Sequence, residues 1–487
     1  MTSSAVAPTS ALTPADTRAA KRVKREKAPL DFVPDPYTFR RAIAKGDIFT
    51  RLSVIVWGLG NLVRKQFVKG LLWLVIEAGF IYFFVASGVH QIAGLFHLET
   101  GGQQECSTVT SGFGTSQVCV TGPQSISMLL YGLATVLLVV VFIFGCWFFA
   151  RSAYRAERLQ ATRGRAPGIR EDLHDLLDGK IQNSLMALPT LGILIFTVVP
   201  LIFMISMAFT TYDAAHGAAT FGWSGLQNFA KVFGTSSGPG LTVNAGQFFS
   251  VLIWTLIWAF LATFLNYFLG MGVAMLINRP GTRLKSMWRT FFALSIAVPQ
   301  FVSLLVVSSM LSMTGILNTM FKDWGWITSP LPFWTDPWWA RVTVIVINLW
   351  VGIPYTIMQV TGILQNIPPE QYESARIDGA SAVQIFRSIT LPYMFFVMTP
   401  YLIATFVGNV NNFNVIYFLT GGGPVTKVSN TAGSTDLLVT WLYKLTVTQK
   451  NYNVGAVIGI MTFVVLAVVS LVTYRSSSSY KDEGGFR

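Results

Sequence analysis

Glu373-Ser-Ala-Arg-Ile-Asp-Gly-Ala380, followed at Leu391-Pro392 by a new apolar run, is a polar, glycine-containing insert between two long hydrophobic stretches. Hydrophobic stretches alone define an integral membrane protein and nothing more. A polar hinge of this composition is a candidate docking site for something soluble. Pro368 and Pro369 suit a helix start, and Glu370 and Glu373 complement the positive end of the helix dipole. Tyr372, Ala375 and Gly379 recur at helical spacing and form a small-residue face. Gly379 permits a sharp turn between two short helices, and Pro392 is tolerated in the first turn of the next one. An ordinary amphipathic surface loop has the same composition, and physics alone divides evenly between the two readings.

The rest of the chain sets the context. Of 487 residues, 52% are hydrophobic and 12% charged, with mean hydropathy +0.53. A soluble domain carries about 25% charged residues; the missing charge is what a surface facing hydrocarbon gives up. The formal net charge of +13 does not indicate nucleic acid, because Lys and Arg concentrate in the N-terminal segment and in certain loops, where they act as topology signals.

Eight apolar segments reach the roughly 20 helical residues a bilayer requires: about 71–88, 128–150, 185–209, 249–277, 290–311, 342–363, 393–419 and 454–472. Helices are expected, since backbone groups in lipid must be satisfied internally. Basic residues cluster in the N-terminus (Lys21-Arg-Val-Lys-Arg-Glu-Lys27), in 151–180, in 279–289 and in the tail from Arg475, while 89–127, 210–248 and 312–338 are poor in them. That alternation matches eight spans with both termini cytoplasmic and places the Glu373 insert, between spans six and seven, on the cytoplasmic side. Trp223, Trp326, Trp334, Trp338, Trp339 and Trp441 read as interfacial anchors. The domain reading is a disordered basic N-terminus over 1–47, an interfacial segment with two spans over 48–184, a core over 185–476 containing the polar loop 368–392, and a tail over 477–487.

Several chemistries lack their residues. His90, His97, His174 and His216 are scattered without metal-ligand spacing, so no metal site is expected. No phosphate-binding Gly-x-x-x-x-Gly-Lys-Ser/Thr loop is present, so ATP is not bound by that route. Glu77 is the one clear acid within a span, too little for an ion-coupled relay. Cys106 and Cys119 share one polar loop, and a disulfide and two free thiols are both open to them. Pro299 in span five and Pro354 in span six break helix hydrogen bonding and are expected to kink their spans, as hinges beside a cavity or as static bends. Asn409, Asn411 and Asn412 put amides inside span seven, where an unsatisfied amide costs a few kcal/mol. Sugar hydroxyls would satisfy them, beside flat surfaces from Trp350, Tyr355 and Phe406; bonds to neighbouring helices would satisfy them equally.

Glu373-Ser-Ala-Arg-Ile-Asp-Gly-Ala380 with Phe386, Ile389 and Leu391-Pro392 resembles the EAA coupling motif of ABC importer permeases, Ser374 replacing the usual first Ala. Asn348-Leu-Trp-Val-Gly-Ile-Pro-Tyr355, Ile403-Ala-Thr-Phe-Val-Gly-Asn-Val-Asn-Asn-Phe413, Leu419-Thr-Gly-Gly-Gly-Pro424 and Thr435-Asp-Leu-Leu-Val439 resemble the MalF-type permease of maltose/maltodextrin importers. The resemblance covers about 185–475 and includes Gly222-Trp-Ser-Gly-Leu-Gln-Asn-Phe229; before residue 180 it is one of layout. Gly408 stands where some relatives carry an aromatic residue, and 210–248 is short where some carry a folded insert.

The resemblance implies an all-α, polytopic type I ABC importer permease fold of about eight transmembrane helices in a bacterial cell membrane. It implies coupling to a separate ATPase dimer through Tyr372, Glu373, Ala375, Asp378, Gly379, Ala380, Leu391 and Pro392. It implies a sugar pocket at Asn348, Gly352, Tyr355, Thr405, Gly408, Asn409 and Asn412. The implied partners are a second homologous permease, the ATPase dimer, an extracellular sugar-binding protein and the lipid bilayer, with no nucleic acid and no directly bound cofactor. The chain is then no enzyme, and ATP acts through the partner. Rival readings are a permease for another sugar or polyol and a stand-alone secondary sugar transporter.

Overall fold

The computed structural model describes residues 37–111, 114–179, 181–234, 243–279, 281–425 and 431–476. The segment 1–36 and the tail 477–487 lie outside these residues. In chain order the elements are α1 (Phe39–Lys45), α2 (Ile48–Leu52), α3 (Leu59–Val63), α4 (Phe67–Phe83), α5 (Val89–Phe96), the strands β1 (Gln104–Ser111) and β2 (Gly114–Thr121), α6 (Ser125–Arg163), α7 (Ile169–His174), α8 (Ile181–Ile193) and α9 (Val199–Met207). Then follow α10 (Gln227–Phe233), α11 (Ala245–Asn278), α12 (Lys285–Ala297), α13 (Gln300–Met310), α14 (Ile316–Asp323), α15 (Pro337–Leu364), α16 (Pro369–Ile377), α17 (Ala382–Ile385), α18 (Leu391–Val410), α19 (Phe413–Thr420), α20 (Leu438–Tyr443) and α21 (Tyr452–Ser476).

Seven helical stretches are long and apolar enough to cross a membrane, and the bent pair α12–α13 makes an eighth if counted as one span. The bend is 87° and falls at Val298–Pro299. Pro299 has no N–H to donate, and Val298 ahead of it is extended at φ −76° and ψ 128°. Pro354 lies inside α15, which continues through it. Buried Val344 and Asn348 on one side and Thr356, Ile357 and Val360 on the other pin both halves of that helix, so one missing hydrogen bond does not break it. Within the basic-poor stretch 89–127, residues rich in Thr, Ser and Val form a two-stranded antiparallel hairpin, the exception in a nearly all-helical chain. Its backbone register sets Cys106 opposite Cys119; their side chains lie outside the described set.

The chain divides into two compact units, Met1–Ile92 with Ala134–Leu194, and Ala93–Leu133 with Ile195–Arg487. In the second unit α11 is the central rod. Its Phe248 and Val251 enter one apolar cluster with Tyr212, Phe221, Trp441 and Val457. Trp254 and Trp258 enter a second with Val344, Val410 and Ile416, and Tyr267 and Met271 a third with Ile357, Met394 and Met398. Trp441 is therefore core and not an interfacial anchor: it is fully buried, and its Nε1 donates to Thr431 Oγ1 at 3.2 Å. The Gly222–Phe229 motif has a structural role. Its Asn228 is fully buried and donates to the carbonyls of Ala208 (2.9 Å) and Thr210 (2.7 Å), while its Oδ1 accepts from Asn453 at 3.3 Å.

In the first unit, polar bonds fold the segment 47–66. The buried Arg64 guanidinium meets Asp47 at 2.8 Å and Glu157 at 3.4 Å, and donates to Thr50 Oγ1 at 2.9 Å and the Gly60 carbonyl at 2.6 Å. Burial pushes the Asp47 carboxyl up, but hydrogen bonds from Thr50 and Arg64 outweigh that and hold its pKa below the ordinary value. Glu77 accepts the Trp57 backbone N–H at 2.7 Å, and Trp57 stacks on Phe142 and Phe149 at 4.4 and 4.3 Å. This acid, within an apolar helix, is thus committed to capping a turn.

Two outcomes are expected. Glu77→Leu orphans the Trp57 N–H and lowers stability by about 1–3 kcal/mol, whereas Glu77→Gln keeps an acceptor and loses less; thermal unfolding in detergent separates them. The contribution of Asp47 is complete above the ordinary carboxylate pKa and lost as pH falls through its depressed one, so an Asp47→Asn variant shows a shallower decline in melting temperature on acidification.

Candidate functional site

The polar insert folds as its residues dictate. Helix α16 begins at Pro369, with Pro368 at its N-cap, and ends in a turn where Gly379 takes φ +77°. The turn closes through the Ala380 N–H donating to the Ala375 carbonyl at 2.9 Å. Ser381 and Gln384 then form a reciprocal capping box that starts α17. A π-helical turn, Phe386–Thr390, leads into α18, in whose first turn Leu391 and Pro392 lie. Tyr372 is tied to the base of α18 by a 3.0 Å hydrogen bond between its hydroxyl and that of Thr390.

This division of labour is finer than the sequence suggested. Tyr372, Ala375 and Ala380 are half-buried and face the protein's own body, whereas Glu373, Asp378 and Gly379 are exposed. Nothing lies within 4 Å of the position a Gly379 Cβ would occupy. The outer face also carries Ile377, 85% exposed between Arg376 and Asp378. A lone apolar residue in a polar helix was the available signal for it, and the small-residue reading passed over it.

The predicted pocket residues fall on two helices packed against α11. On α15, Asn348 is 4% exposed and its Nδ2 finds no partner, and Tyr355 is 48% exposed. Gly352 sits so close to α11 that an added Cβ would stand 2.3 Å from Asn266 Nδ2. On α18, Thr405, Gly408 and Asn409 recur at helical spacing, and Asn412 follows just past its end. Asn409 donates to Thr263 Oγ1 of α11 at 3.0 Å, and its carbonyl accepts Trp258 Nε1 at 3.1 Å. Asn412 ends up in a break between α18 and α19, where its Oδ1 accepts the Val415 N–H at 3.2 Å and its Nδ2 faces Asn409 Oδ1 at 3.5 Å. Around Gly408 there is open space. The structure thus assembles a polar seam of Asn348, Gly352, Asn409 and Asn412 with two α11 residues absent from the sequence reading, Thr263 and Asn266. Asn266 Oδ1 is also buried without a partner. Two cavities, of 410 and 230 Å³, are lined by other residues. Among the described residues, no group of three or more His, Cys, Asp or Glu comes together as a metal site.

Residues 266–479, which include α16 and every residue of this seam but Thr263, match the family of binding-protein-dependent transport system inner membrane components. The galactooligosaccharides transport system permease protein GanP of Bacillus subtilis strain 168 is 33% identical over 436 residues, covering 89% of this chain and 98% of that protein. The chain belongs to this permease family. A second relative, the maltodextrin transport system permease protein MdxF of the same organism, is 30% identical over 442 residues, covering 89% of this chain and 96% of its own length. Among solved structures, a chain of a bacterial alginate ABC transporter, crystallised with an alginate pentasaccharide-bound periplasmic protein, shares the fold at TM-score 0.51 and 22% identity. That likeness covers 63% of this chain and 97% of the other. As a family member the permease is a multi-pass membrane component of a transport system.

The seam makes the two glycines unequal. Gly352→Ala drives a methyl into Asn266 and is expected to destabilise by about 1–3 kcal/mol, while Gly408→Ala meets nothing and leaves the stability within about 0.5 kcal/mol of wild type. Thermal unfolding of the two variants in one detergent checks this.

Proposed function

We propose that this permease is the membrane-spanning subunit of an ATP-driven carbohydrate importer, taking a maltodextrin or a related oligosaccharide such as a galactooligosaccharide. A second, homologous permease completes the path, an ABC ATPase dimer binds the α16 face, and an extracellular sugar-binding protein delivers substrate on the opposite side. Both termini are cytoplasmic. The observation that carries the reading is α16 itself: a short helix set outside the body, with an exposed apolar Ile377 among charges and a hydroxyl tether to the base of α18. The names of GanP and MdxF support the sugar class.

The mechanism follows from those parts. Nucleotide chemistry takes place in the ATPase, which grips Glu373, Asp378 and Ile377, while Gly379 allows close approach. Movement of α16 passes through the Tyr372–Thr390 bond and the Leu391-Pro392 junction into α18. The face of α18 bearing Thr405, Gly408 and Asn409, with Asn412 in the break that follows and Asn348, Gly352 and Tyr355 of α15, binds the sugar. Its hydroxyls exchange with the Asn409–Thr263 bond, a swap between neutral hydrogen bonds of small net free energy. Tyr355 offers an exposed ring for a sugar face.

Reconstituted vesicles with both permeases, the ATPase and the binding protein test this against a panel of oligosaccharides. ATP-dependent uptake of one or more is expected, unaffected by proton ionophores. Ile377→Asp and Gly379→Pro are expected to insert and assemble with other permease subunits yet lower substrate-stimulated ATP hydrolysis by about tenfold or more, the effect of a buried interface anchor. Uptake without the ATPase would sink the reading. Asn409→Ala is expected to change the sugar preference, and an unaltered profile removes it from the pocket.

A further inference from the structure

The 410 Å³ cavity lies at the N-terminal ends of α11 and α15, and none of the residues assigned above lines it. Its lining includes Gln247, Ser250, Trp254, Arg341, Ser434 and Asp436. Arg341 is the unusual member. Its guanidinium lies 4.5 Å over the Trp254 ring, and its Nε donates to the Ser434 carbonyl at 2.8 Å. Among the described residues its two terminal nitrogens have no hydrogen bond and no carboxylate partner. The nearby acid does not compensate it: Asp436 is held by Lys444 Nζ at 2.6 Å, by the Gly433 N–H at 2.6 Å and by Thr440 Oγ1 at 2.9 Å. Counting Lys444, which lies behind Asp436 and neutralises it, the cavity's surroundings carry one net positive charge, that of Arg341. A second, independent feature points the same way. Ser434 is 5% exposed, and its Oγ is buried with no hydrogen-bond partner. A buried hydroxyl without a partner, in a residue on the wall of a cavity, is free to turn and donate to what enters it. The N-terminus of the 34-residue α11 adds a favourable field for negative charge.

We propose that this cavity binds a carboxylate, with the free fork of Arg341 as its bidentate receptor and the Ser434 hydroxyl as an additional donor. A planar guanidinium locked on an indole face with one edge open is pre-organised for that geometry. Two sources offer the group. One is an acidic sugar, for which the hydroxyl and amide lining and the cavity volume also suit. The other is an Asp or Glu side chain of the binding protein, which on the proposed function docks on this side; that second source rests on that reading.

The full-length permease in lipid nanodiscs, alone and with its partner subunits, distinguishes these. Sodium glucuronate, with glucose as the neutral control, is titrated against the melting temperature of the permease alone. The binding protein's affinity is measured on the assembled complex. A saturable shift with glucuronate and not glucose, weakened about tenfold or more in Arg341→Gln and reduced in Ser434→Ala, assigns the site to a free sugar acid. Absence of that shift, with about tenfold weaker binding-protein affinity in Arg341→Gln and normal assembly, assigns it to a docked side chain. Arg341→Lys keeps the charge without the fork and should fall between; it and Ser434→Ala carry the same readouts if Arg341→Gln does not assemble. Wild-type behaviour of the variants in both arms, or equal response to glucose and glucuronate with unchanged docking, overturns the proposal. The glucuronate arm involves neither transport nor ATP, so it fails independently of the import reading.

Discussion

The close approach of α11 and α15 is the constraint on which the permease body depends. Between helices in lipid there is no hydrophobic drive, so association rests on packing and hydrogen bonds. Gly270 meets Thr356, and Gly352 meets Asn266, at separations no larger side chain would permit. With α15 fixed there, α11 can run through all three apolar clusters and anchor α18 by way of Asn409 and Trp258. The approach also has a consequence for polarity. It buries Asn266 Oδ1 and Asn348 Nδ2 where neither has a hydrogen-bond partner among the described residues, and a buried polar group left unpaired in this way is costly.

Much of this was legible in the chain. The apolar runs located the spans, since nothing but a helix satisfies a backbone in hydrocarbon, and Pro368-Pro369 and Gly379 marked the ends of α16 by their own backbone preferences. The illegible parts were those decided by tertiary packing. Pro299 and Pro354 carry the same local instruction, yet one opens an 87° corner and the other sits in a straight-through helix; the difference lies in the buried neighbours that clamp α15. Trp441 reads as an interfacial ring because it stands near a span end, but α20 turns inward and buries it.

The amides show the limit most clearly. Asn409 and Asn412 announced themselves as polar groups in an apolar run, but their division between a contact with Thr263 and a helix break depends on α11, far away in sequence. Asn266 and Arg341 gave no local signal. One looks like a solitary polar residue in a long span, and the other like a snorkelling charge at a span end. Only folding shows that the first lies against a glycine and the second across an indole.

A single helix, α15, joins the two chemically active ends. From Arg341 to Leu364 it rises about 35 Å, with the charged cavity at one end and the turn into α16 at the other. The wide turn Phe386–Thr390 adds a different property. A π turn amounts to one residue accommodated within an otherwise α-helical path. Each residue rotates an α-helix by about 100°. The turn therefore sets the rotational phase of everything after it in α18, and which flank of that helix carries its asparagines is decided some twenty residues upstream. Insertions or deletions there would act as a change of gear, turning the flank that carries Thr405, Gly408 and Asn409 toward different neighbours while leaving every span, and the hydropathy of the chain, intact.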